Sequence, residues 1–88
     1  MKIEIFGKTH CPYCDKAKFA AQSFIQETHH TYEYKQLGTD YDMNFVAKNF
    51  PTARTFPQIK VNGDIIGTYQ DFEEYLENTG YNGTGYGH

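Results

Sequence analysis

The chain has 88 residues, which is enough for one small domain but too few for two independent hydrophobic cores. Hydrophobic residues make up 39% of the sequence and aromatic residues 17%, which argues against a disordered chain, and no apolar segment approaches the roughly 20 residues that span a bilayer. The formal net charge of −3 at pH 7 argues against a nucleic-acid partner, because such proteins usually carry a strongly basic face.

The first third of the chain predicts a strand followed by a helix. Polar and apolar residues alternate over residues 1–6, a pattern typical of a strand and not of a signal peptide, so we expect a soluble, cytoplasmic protein. After a connection at residues 7–10, Pro12 stands where helices tolerate proline, and a helical pattern runs from Tyr13 to about Glu27. Its apolar stripe consists of Ala17, Ala20, Ala21, Phe24 and Ile25.

The middle of the chain predicts a second strand and a short helix. The strand runs from Thr31 to Leu37, where tyrosines alternate with charged residues. Residues 38–40, Gly-Thr-Asp, predict a turn and the N-cap of a helix that ends at about Phe50, before Pro51. The residues expected on the inner face of this helix are Met43, Val46 and Phe50.

The last third predicts a hairpin and a helix. A strand from Phe56 to Val61 is followed by Asn62-Gly63, a strong signal for a two-residue hairpin turn, and by a short strand over residues 64–66. The final helix covers residues 69–78 and is capped by Thr79-Gly80. Its inner face is expected to carry Tyr69, Phe72, Tyr75 and Leu76.

The order of elements predicts an α/β fold. The order is β-α-β-α-β-β-α, and two βαβ-type crossovers before a terminal hairpin indicate a four-stranded mixed sheet flanked by three helices, with helices on both faces. Residues 81–88 are mostly Gly and Tyr and predict a flexible tail, which leaves residues 1–80 as the only domain.

The two cysteines, Cys11 and Cys14, are three positions apart at the start of the first predicted helix. That spacing brings the sulfurs within bonding reach, and the free N–H groups at a helix N-terminus favour a thiolate on the first cysteine. With Lys8 nearby, such a setting brings a thiol pKa from about 8.5 into the range of roughly 3.5–7.5. Cys11 is therefore predicted to be the nucleophile and Cys14 the more buried resolving thiol, with Pro12 stiffening the turn and Tyr13 covering the sulfurs.

Two other interpretations of the pair remain open at this point. Cys14 alone could be a small buried hydrophobe, with Cys11 of no functional consequence. Zinc could instead be held by the cysteines together with His10, His29 or His30, but the histidines lack the paired spacing that makes zinc motifs specific. We expect no metal.

Three segments, in register along the chain, resemble the glutaredoxin family. They are residues 5–18 around Cys-Pro-Tyr-Cys, residues 55–59 (Thr-Phe-Pro-Gln-Ile, similar to Thr-Val-Pro-Gln-Ile) and residues 66–72 (Ile-Gly-Thr-Tyr-Gln-Asp-Phe, similar to Ile-Gly-Gly-Tyr-Thr-Asp-Phe). The resemblance implies a thioredoxin-like fold and a glutathione-disulfide oxidoreductase of the dithiol type. It also implies a cis peptide at Pro57, which exposes the backbone of Phe56 to an extended thiol peptide such as glutathione.

The resemblance also implies a set of glutathione contacts. The γ-glutamyl group is expected at the start of the last helix, where Asp71 either accepts from its amine, caps the helix, or does both. The glycyl carboxylate is expected at Lys8, with Arg54 a weaker candidate. The full set of expected glutathione-binding residues is Lys8, Tyr13, Thr55, Phe56, Pro57, Tyr69, Gln70 and Asp71.

Two residues depart from the family pattern. Thr68 replaces a glycine, which we expect to limit positive φ and to narrow the backbone approach to a ligand. Phe56 replaces a smaller β-branched residue and is expected to reshape the groove.

The predicted function is glutathione-dependent reduction of protein disulfides and glutathione mixed disulfides by a monomer, with ribonucleotide reductase as the protein substrate that the resemblance favours. Three alternatives remain. A thioredoxin-like redoxin would take electrons from a flavoprotein reductase, a cluster-carrying glutaredoxin would hold a [2Fe–2S] centre, and an inert structural fold would not use Cys11 at all.

Overall fold

The computed structural model describes residues 1–26 and 30–79. The predicted element order is confirmed. The elements are β1 (Lys2–Gly7), α1 (Pro12–Gln26), β2 (Thr31–Gln36), α2 (Met43–Asn49), β3 (Gln58–Val61), β4 (Asp64–Gly67) and α3 (Tyr69–Asn78). None of the helices in this part of the chain is long and apolar enough to cross a membrane. The predicted tail at 81–88, together with Glu27, His29 and Gly80, lies outside the described residues.

The four strands form one mixed sheet in the order β2-β1-β3-β4. Strands β1 and β2 are parallel, and Ile5 lies opposite Tyr34, so α1 forms a genuine crossover between them. Strand β3 is antiparallel to β1, with Ile5 opposite Ile59. The expectation of a second βαβ-type crossover is therefore wrong, because the segment that contains α2 connects two antiparallel strands.

The main core lies between the sheet and the pair formed by α1 and α3. The predicted inner faces of both helices are confirmed: Ala17 and Phe24 of α1 are buried, as are Phe72 and Leu76 of α3, while Tyr75 is half-buried against the same core. Ile3, Ile5, Ile59 and Val61 supply the sheet side of this core. Successive side chains of a strand point to opposite faces of the sheet. Because Ile5 of β1 faces the main core, the next residue, Phe6, lies on the opposite face.

A second, aromatic cluster covers the opposite face of the sheet. Phe6, Tyr41, Val46 and Phe50 are its buried members, and Phe45 and Phe56 pack against it. The N-cap of α2 is Asp42, whose side chain accepts from the Phe45 N–H at 2.9 Å, and not a residue of the preceding Gly-Thr-Asp turn. Met43 is 57% exposed, so the expectation that it lies on the inner face of α2 is also wrong. Tyr41, which precedes the helix, is buried in the aromatic cluster instead.

The predicted hairpin between β3 and β4 is confirmed. Asn62 and Gly63 have φ angles of 54° and 85°, the left-handed pair that a tight hairpin turn requires. The Asn62 side chain also accepts from the Lys2 N–H at 2.9 Å, which ties the turn to β1. Strand β3 begins at Gln58, two residues later than predicted, after the cis peptide between Phe56 and Pro57.

Candidate active site

A disulfide joins Cys11 and Cys14 at the N-terminus of α1, with the two Cα atoms 5.2 Å apart. Cys14 is completely buried, whereas Cys11, just before the first residue of the helix, is partly exposed. An incoming thiol therefore reaches the sulfur of Cys11 and not that of Cys14. The roles of nucleophile for Cys11 and resolving thiol for Cys14 stay a prediction, which requires this difference in exposure.

Cys11 caps the helix that carries the pair. Its carbonyl oxygen accepts from the N–H groups of Cys14 at 3.1 Å and Asp15 at 3.2 Å, and its sulfur accepts from the Cys14 N–H at 3.2 Å. Pro12 is the first helical residue, where its missing N–H leaves no bond unmade. Once the disulfide opens, we expect the Cys14 N–H and the helix dipole to favour a negatively charged sulfur at position 11.

A groove of about 290 Å³ begins at Tyr13, inside the cysteine loop. Three chain segments form it, and the residues that line it are Tyr13, Thr55, Phe56, Pro57, Thr68, Tyr69 and Gln70. The rings of Tyr13 and Tyr69 lie 5.9 Å apart, so the helix that carries the cysteines and the start of α3 meet at this groove. The Phe56–Pro57 segment forms one wall of the groove.

Most of the residues expected to bind glutathione lie together in this groove, but two of them do not line it. Lys8 stands at the edge, with its Nζ 5.5 Å from the centre of the Phe56 ring. Asp71 belongs to a shallow depression formed with residues of β4 and α3. In its place the groove is lined by Thr68, which the sequence singled out only as a departure from the family pattern.

Thr68 and Asp71 form a reciprocal cap at the start of α3. The Asp71 Oδ2 atom accepts from the Thr68 N–H at 3.0 Å and from the Thr68 hydroxyl at 3.1 Å, while the Thr68 Oγ1 accepts from the Asp71 N–H at 3.4 Å. The capping role weighed for Asp71 is therefore present. Thr68 has a φ of −80°, and the positive φ falls on Gly67 at 122°, so the threonine is not strained by its backbone.

Gln58 follows the groove residue Pro57 and holds the segment that forms this wall of the groove. It was not identified as a site residue from the sequence. Its side chain is only 5% exposed, and its Nε2 donates to the Thr55 carbonyl at 2.8 Å. This bond closes the segment that contains the Phe56–Pro57 peptide. The signal available in the sequence was the amide side chain of Gln58 between the apolar residues Pro57 and Ile59. A polar side chain that is buried at such a position needs a fixed hydrogen-bond partner.

Three lysines lie close to the two cysteines in the sequence, and each has its ammonium over an aromatic ring. Besides Lys8, Lys16 has its Nζ 5.0 Å from the Tyr13 ring, and Lys18 has its Nζ 4.2 Å from the Tyr34 ring. None of the three forms an ion pair with a described carboxylate. Although the chain is acidic overall, this neighbourhood suits an anionic ligand. Arg54, the weaker candidate, is exposed on the loop before Thr55.

The residues considered for zinc are not brought together. The cysteines are bonded to each other, and His30 contacts the N-terminal amine through Nδ1 at 2.8 Å, while His29 lies outside the described residues. Within residues 1–26 and 30–79, no group of three or more His, Cys, Asp or Glu side chains is placed to hold a metal.

Two tyrosines brace the strand end from which the cysteine loop begins. The Tyr41 hydroxyl donates to the Gly7 carbonyl at 2.7 Å, and the Tyr34 ring lies so close to Gly7 that a Cβ there would collide with it. Burial, with a further contribution from Tyr34, raises the pKa of the Tyr41 hydroxyl above its usual value. Burial and the nearby Asp15 carboxylate also raise the pKa of Tyr34.

The raised pKa of Tyr41 predicts a loss of stability in alkali. Above about pH 10 the unfolded chain loses the tyrosine proton while the folded protein keeps it, so the free energy of unfolding falls by up to about 1.4 kcal/mol per pH unit for this group. We expect Tyr41→Phe to make that fall shallower. Urea unfolding of the oxidised protein between about pH 9 and about pH 11 measures it, and equal slopes for the variant and the wild type would contradict the assignment.

A family model and several known proteins match this chain. The glutaredoxin family model matches residues 3–66. Glutaredoxin 1 of Escherichia coli is 31% identical over 80 residues, which cover 88% of this chain and 94% of that protein. Glutaredoxin-C4 of Arabidopsis thaliana is 29% identical over 76 residues, covering 86% of this chain but only 56% of the plant protein. The chain thus spans little more than half the length of that relative.

Solved structures of glutaredoxins also match this chain. The structure of reduced Escherichia coli glutaredoxin superposes with a TM-score of 0.76 at 31% identity, covering 89% of this chain and 95% of that one. The oxidised form gives a TM-score of 0.77 at 30% identity, with coverages of 88% and 94%. The predicted thioredoxin-like arrangement of a four-stranded sheet and three helices is therefore confirmed.

Proposed function

The chain belongs to the glutaredoxin family, and from that membership we propose that it uses glutathione to reduce glutathione mixed disulfides and protein disulfides. One observation carries the proposal. A disulfide with one accessible sulfur, Cys11, and one buried sulfur, Cys14, sits on a helix N-terminus and opens beside a peptide-sized groove. A structural disulfide has no need of such a groove.

For a glutathione mixed disulfide, the reaction needs Cys11 alone. The Cys11 thiolate attacks the glutathione sulfur, so that a Cys11–glutathione disulfide forms and the target leaves as a thiolate. A second glutathione thiolate then attacks the glutathione sulfur of that intermediate, which releases oxidised glutathione and restores the Cys11 thiolate. In the net reaction one free glutathione is consumed, it leaves with the glutathione of the mixed disulfide as oxidised glutathione, and one target thiol is set free.

For a protein disulfide, Cys14 takes part. The Cys11 thiolate attacks one target sulfur and forms a mixed disulfide with it, while the other target sulfur leaves as a thiolate. The Cys14 thiolate then attacks the Cys11 sulfur, which releases the bound target sulfur as a thiolate and forms the Cys11–Cys14 disulfide. One glutathione thiolate attacks the Cys11 sulfur, which frees the Cys14 thiolate and leaves glutathione bonded to Cys11. A second glutathione thiolate attacks the sulfur of that bound glutathione, which releases oxidised glutathione and restores the Cys11 thiolate. The burial of Cys14 supports this order, because an outside thiol has access only to Cys11.

Glutathione is proposed to lie extended along the groove. Its cysteinyl backbone would pair with the backbone of Phe56, a strand-addition mode of peptide binding. Its γ-glutamyl carboxylate would meet the N–H groups of Gln70 and Asp71 at the start of α3, although that of Asp71 donates to the Thr68 hydroxyl. Its glycyl carboxylate would meet the Lys8 ammonium at the edge of the groove. Lys8, Lys16 and Lys18, none of which pairs with a carboxylate of the described residues, support an anionic tripeptide as the ligand.

The protein substrates and the setting are part of the same proposal. Disulfide-bearing proteins, with ribonucleotide reductase as one candidate, would be reduced by a monomer in the cytoplasm. Neither nucleic acid nor a membrane enters the proposed cycle.

The proposed function is tested by reduction of a glutathionylated peptide with the purified protein. The assay couples the oxidised glutathione that forms to NADPH through glutathione reductase, and we expect turnover that requires both glutathione and the protein. A matched reaction supplies a thioredoxin-type flavoprotein reductase and no glutathione. Turnover only in this second reaction would show that the protein is a thioredoxin-like redoxin and that the glutathione site is wrong.

A further inference from the structure

The side chain of Thr68 forms hydrogen bonds with two groups of Asp71 at the start of α3, the carboxylate and the backbone N–H. Its hydroxyl donates to the Asp71 Oδ2 at 3.1 Å and accepts from the Asp71 N–H at 3.4 Å. The same threonine lines the groove next to Tyr69 and Gln70. The first turn of α3 is therefore capped by the protein itself, at the end of the groove farthest along the chain from the cysteines.

The γ-glutamyl end of a substrate would bind to the same two parts of Asp71, its backbone N–H and its carboxylate. The carboxylate of a γ-glutamyl group is bound by free N–H groups at a helix N-terminus, and its ammonium by a carboxylate. In this chain the Asp71 N–H already has an acceptor, and the Asp71 Oδ2 already accepts two hydrogen bonds, one of them from the Thr68 N–H at 3.0 Å. A ligand carboxylate that binds the Asp71 N–H must displace or share its bond to Thr68, whereas a ligand ammonium can also be accepted by the other carboxylate oxygen, Oδ1.

We propose that Thr68 is a specificity-determining residue whose hydroxyl competes with the γ-glutamyl end of a substrate for Asp71. This inference rests on the proposed function. It predicts that removing the hydroxyl strengthens the preference of the protein for γ-glutamyl disulfides over simpler cysteine disulfides.

The backbone at position 68 does not account for the effect. Thr68 has φ −80° and ψ 179°, an extended conformation open to any residue, and the left-handed conformation falls on Gly67. A side chain at Gly67 would collide with the Asp71 carboxylate, so that glycine keeps the carboxylate where Thr68 binds it. What distinguishes position 68 is therefore its hydroxyl and its methyl group, and these can be separated by substitution.

The test uses Thr68→Val, which removes the hydroxyl and keeps the volume, and Thr68→Ser, which removes the methyl and keeps the hydroxyl. Each is assayed on one peptide carrying either a γ-glutamylcysteine or a cysteine mixed disulfide. We expect Thr68→Val to lower KM for the γ-glutamylcysteine disulfide by about five-fold, the equivalent of one capping bond, with kcat retained. KM for the cysteine disulfide should stay within about two-fold, and Thr68→Ser should behave as the wild type.

Each remaining outcome overturns the inference. An unchanged or raised KM in Thr68→Val shows that the hydroxyl does not compete, and an equal fall in Thr68→Ser assigns the effect to the methyl group. If the wild type reduces neither disulfide, the proposed function fails as well, which separates the two failures. Thr68→Ala is a second variant without the hydroxyl, and circular dichroism at the assay temperature establishes that every variant is folded.

Discussion

Replacing Cys11 by serine is expected to reduce both activities to the rate of the uncatalysed exchange. The serine hydroxyl is not ionised at neutral pH and forms no disulfide, and Cys14 is completely buried and cannot take over the attack. Cys14→Ser is the matched variant, because it removes the other half of the same disulfide. It should keep most of its activity on a glutathionylated peptide and lose the reduction of a protein disulfide, which needs the second sulfur.

Mass spectrometry adds a direct measurement of the intermediate. In oxidised glutathione, the Cys14→Ser variant should gain one glutathione, on Cys11, whereas Cys11→Ser should gain none without denaturant. Glutathione on Cys14 in the Cys11→Ser variant would contradict the burial argument. Equal activity of the wild type and Cys11→Ser would mean that the disulfide is structural.

Local patterns in the sequence predicted most of the fold. The Asn62-Gly63 turn was predictable because both residues tolerate the left-handed angles that a tight hairpin imposes. The buried stripe of α1 was predictable because a helical period of 3.6 places Ala17, Ala21 and Phe24 on one face. Such features depend on neighbours a few residues away.

The errors concern relations between distant segments. Strand β3 pairs antiparallel with β1, a partner more than 50 residues away, and nothing local to β3 fixes that direction. At the start of α2, Asp40 and Asp42 are both good capping residues, and the burial of Tyr41 against Phe6 decides for Asp42. The same choice turns Met43 outward.

The candidate site divides in the same way. The cysteine pair lies within one helical turn, so its chemistry could be predicted from spacing alone. The groove joins Tyr13 to two segments that lie more than 40 residues further along, and its residues could be proposed only through the resemblance of whole motifs. The pairing of Thr68 with Asp71 was missed, since a substitution of glycine by threonine suggests lost backbone freedom before it suggests a new hydrogen bond.

The second large effect is expected at Phe6, in the centre of the aromatic cluster that holds α2 to the sheet. Phe6 is 1% exposed, and its ring centre lies 5.4 Å from that of Tyr41, 5.3 Å from Phe45 and 5.2 Å from Phe50. Truncation of a buried phenylalanine to alanine costs about 3–5 kcal/mol. That is a large part of the roughly 5–15 kcal/mol by which such domains are stable, and in a domain of this size it corresponds to a fall of at least about 12 °C in Tm.

Phe19→Ala is the control, because Phe19 lies on α1 and is 59% exposed, so its truncation should change the free energy of unfolding by no more than about 0.5 kcal/mol. Urea unfolding of the two oxidised variants measures the difference. Phe56 packs against the same cluster and also forms a wall of the groove, so Phe6→Ala should additionally raise KM for a glutathionylated peptide while Phe19→Ala leaves it unchanged. Equal stability of the two variants would show that α2 does not depend on this cluster, whereas a loss of stability without a change in KM would mean that Phe56 is held by its own chain segment.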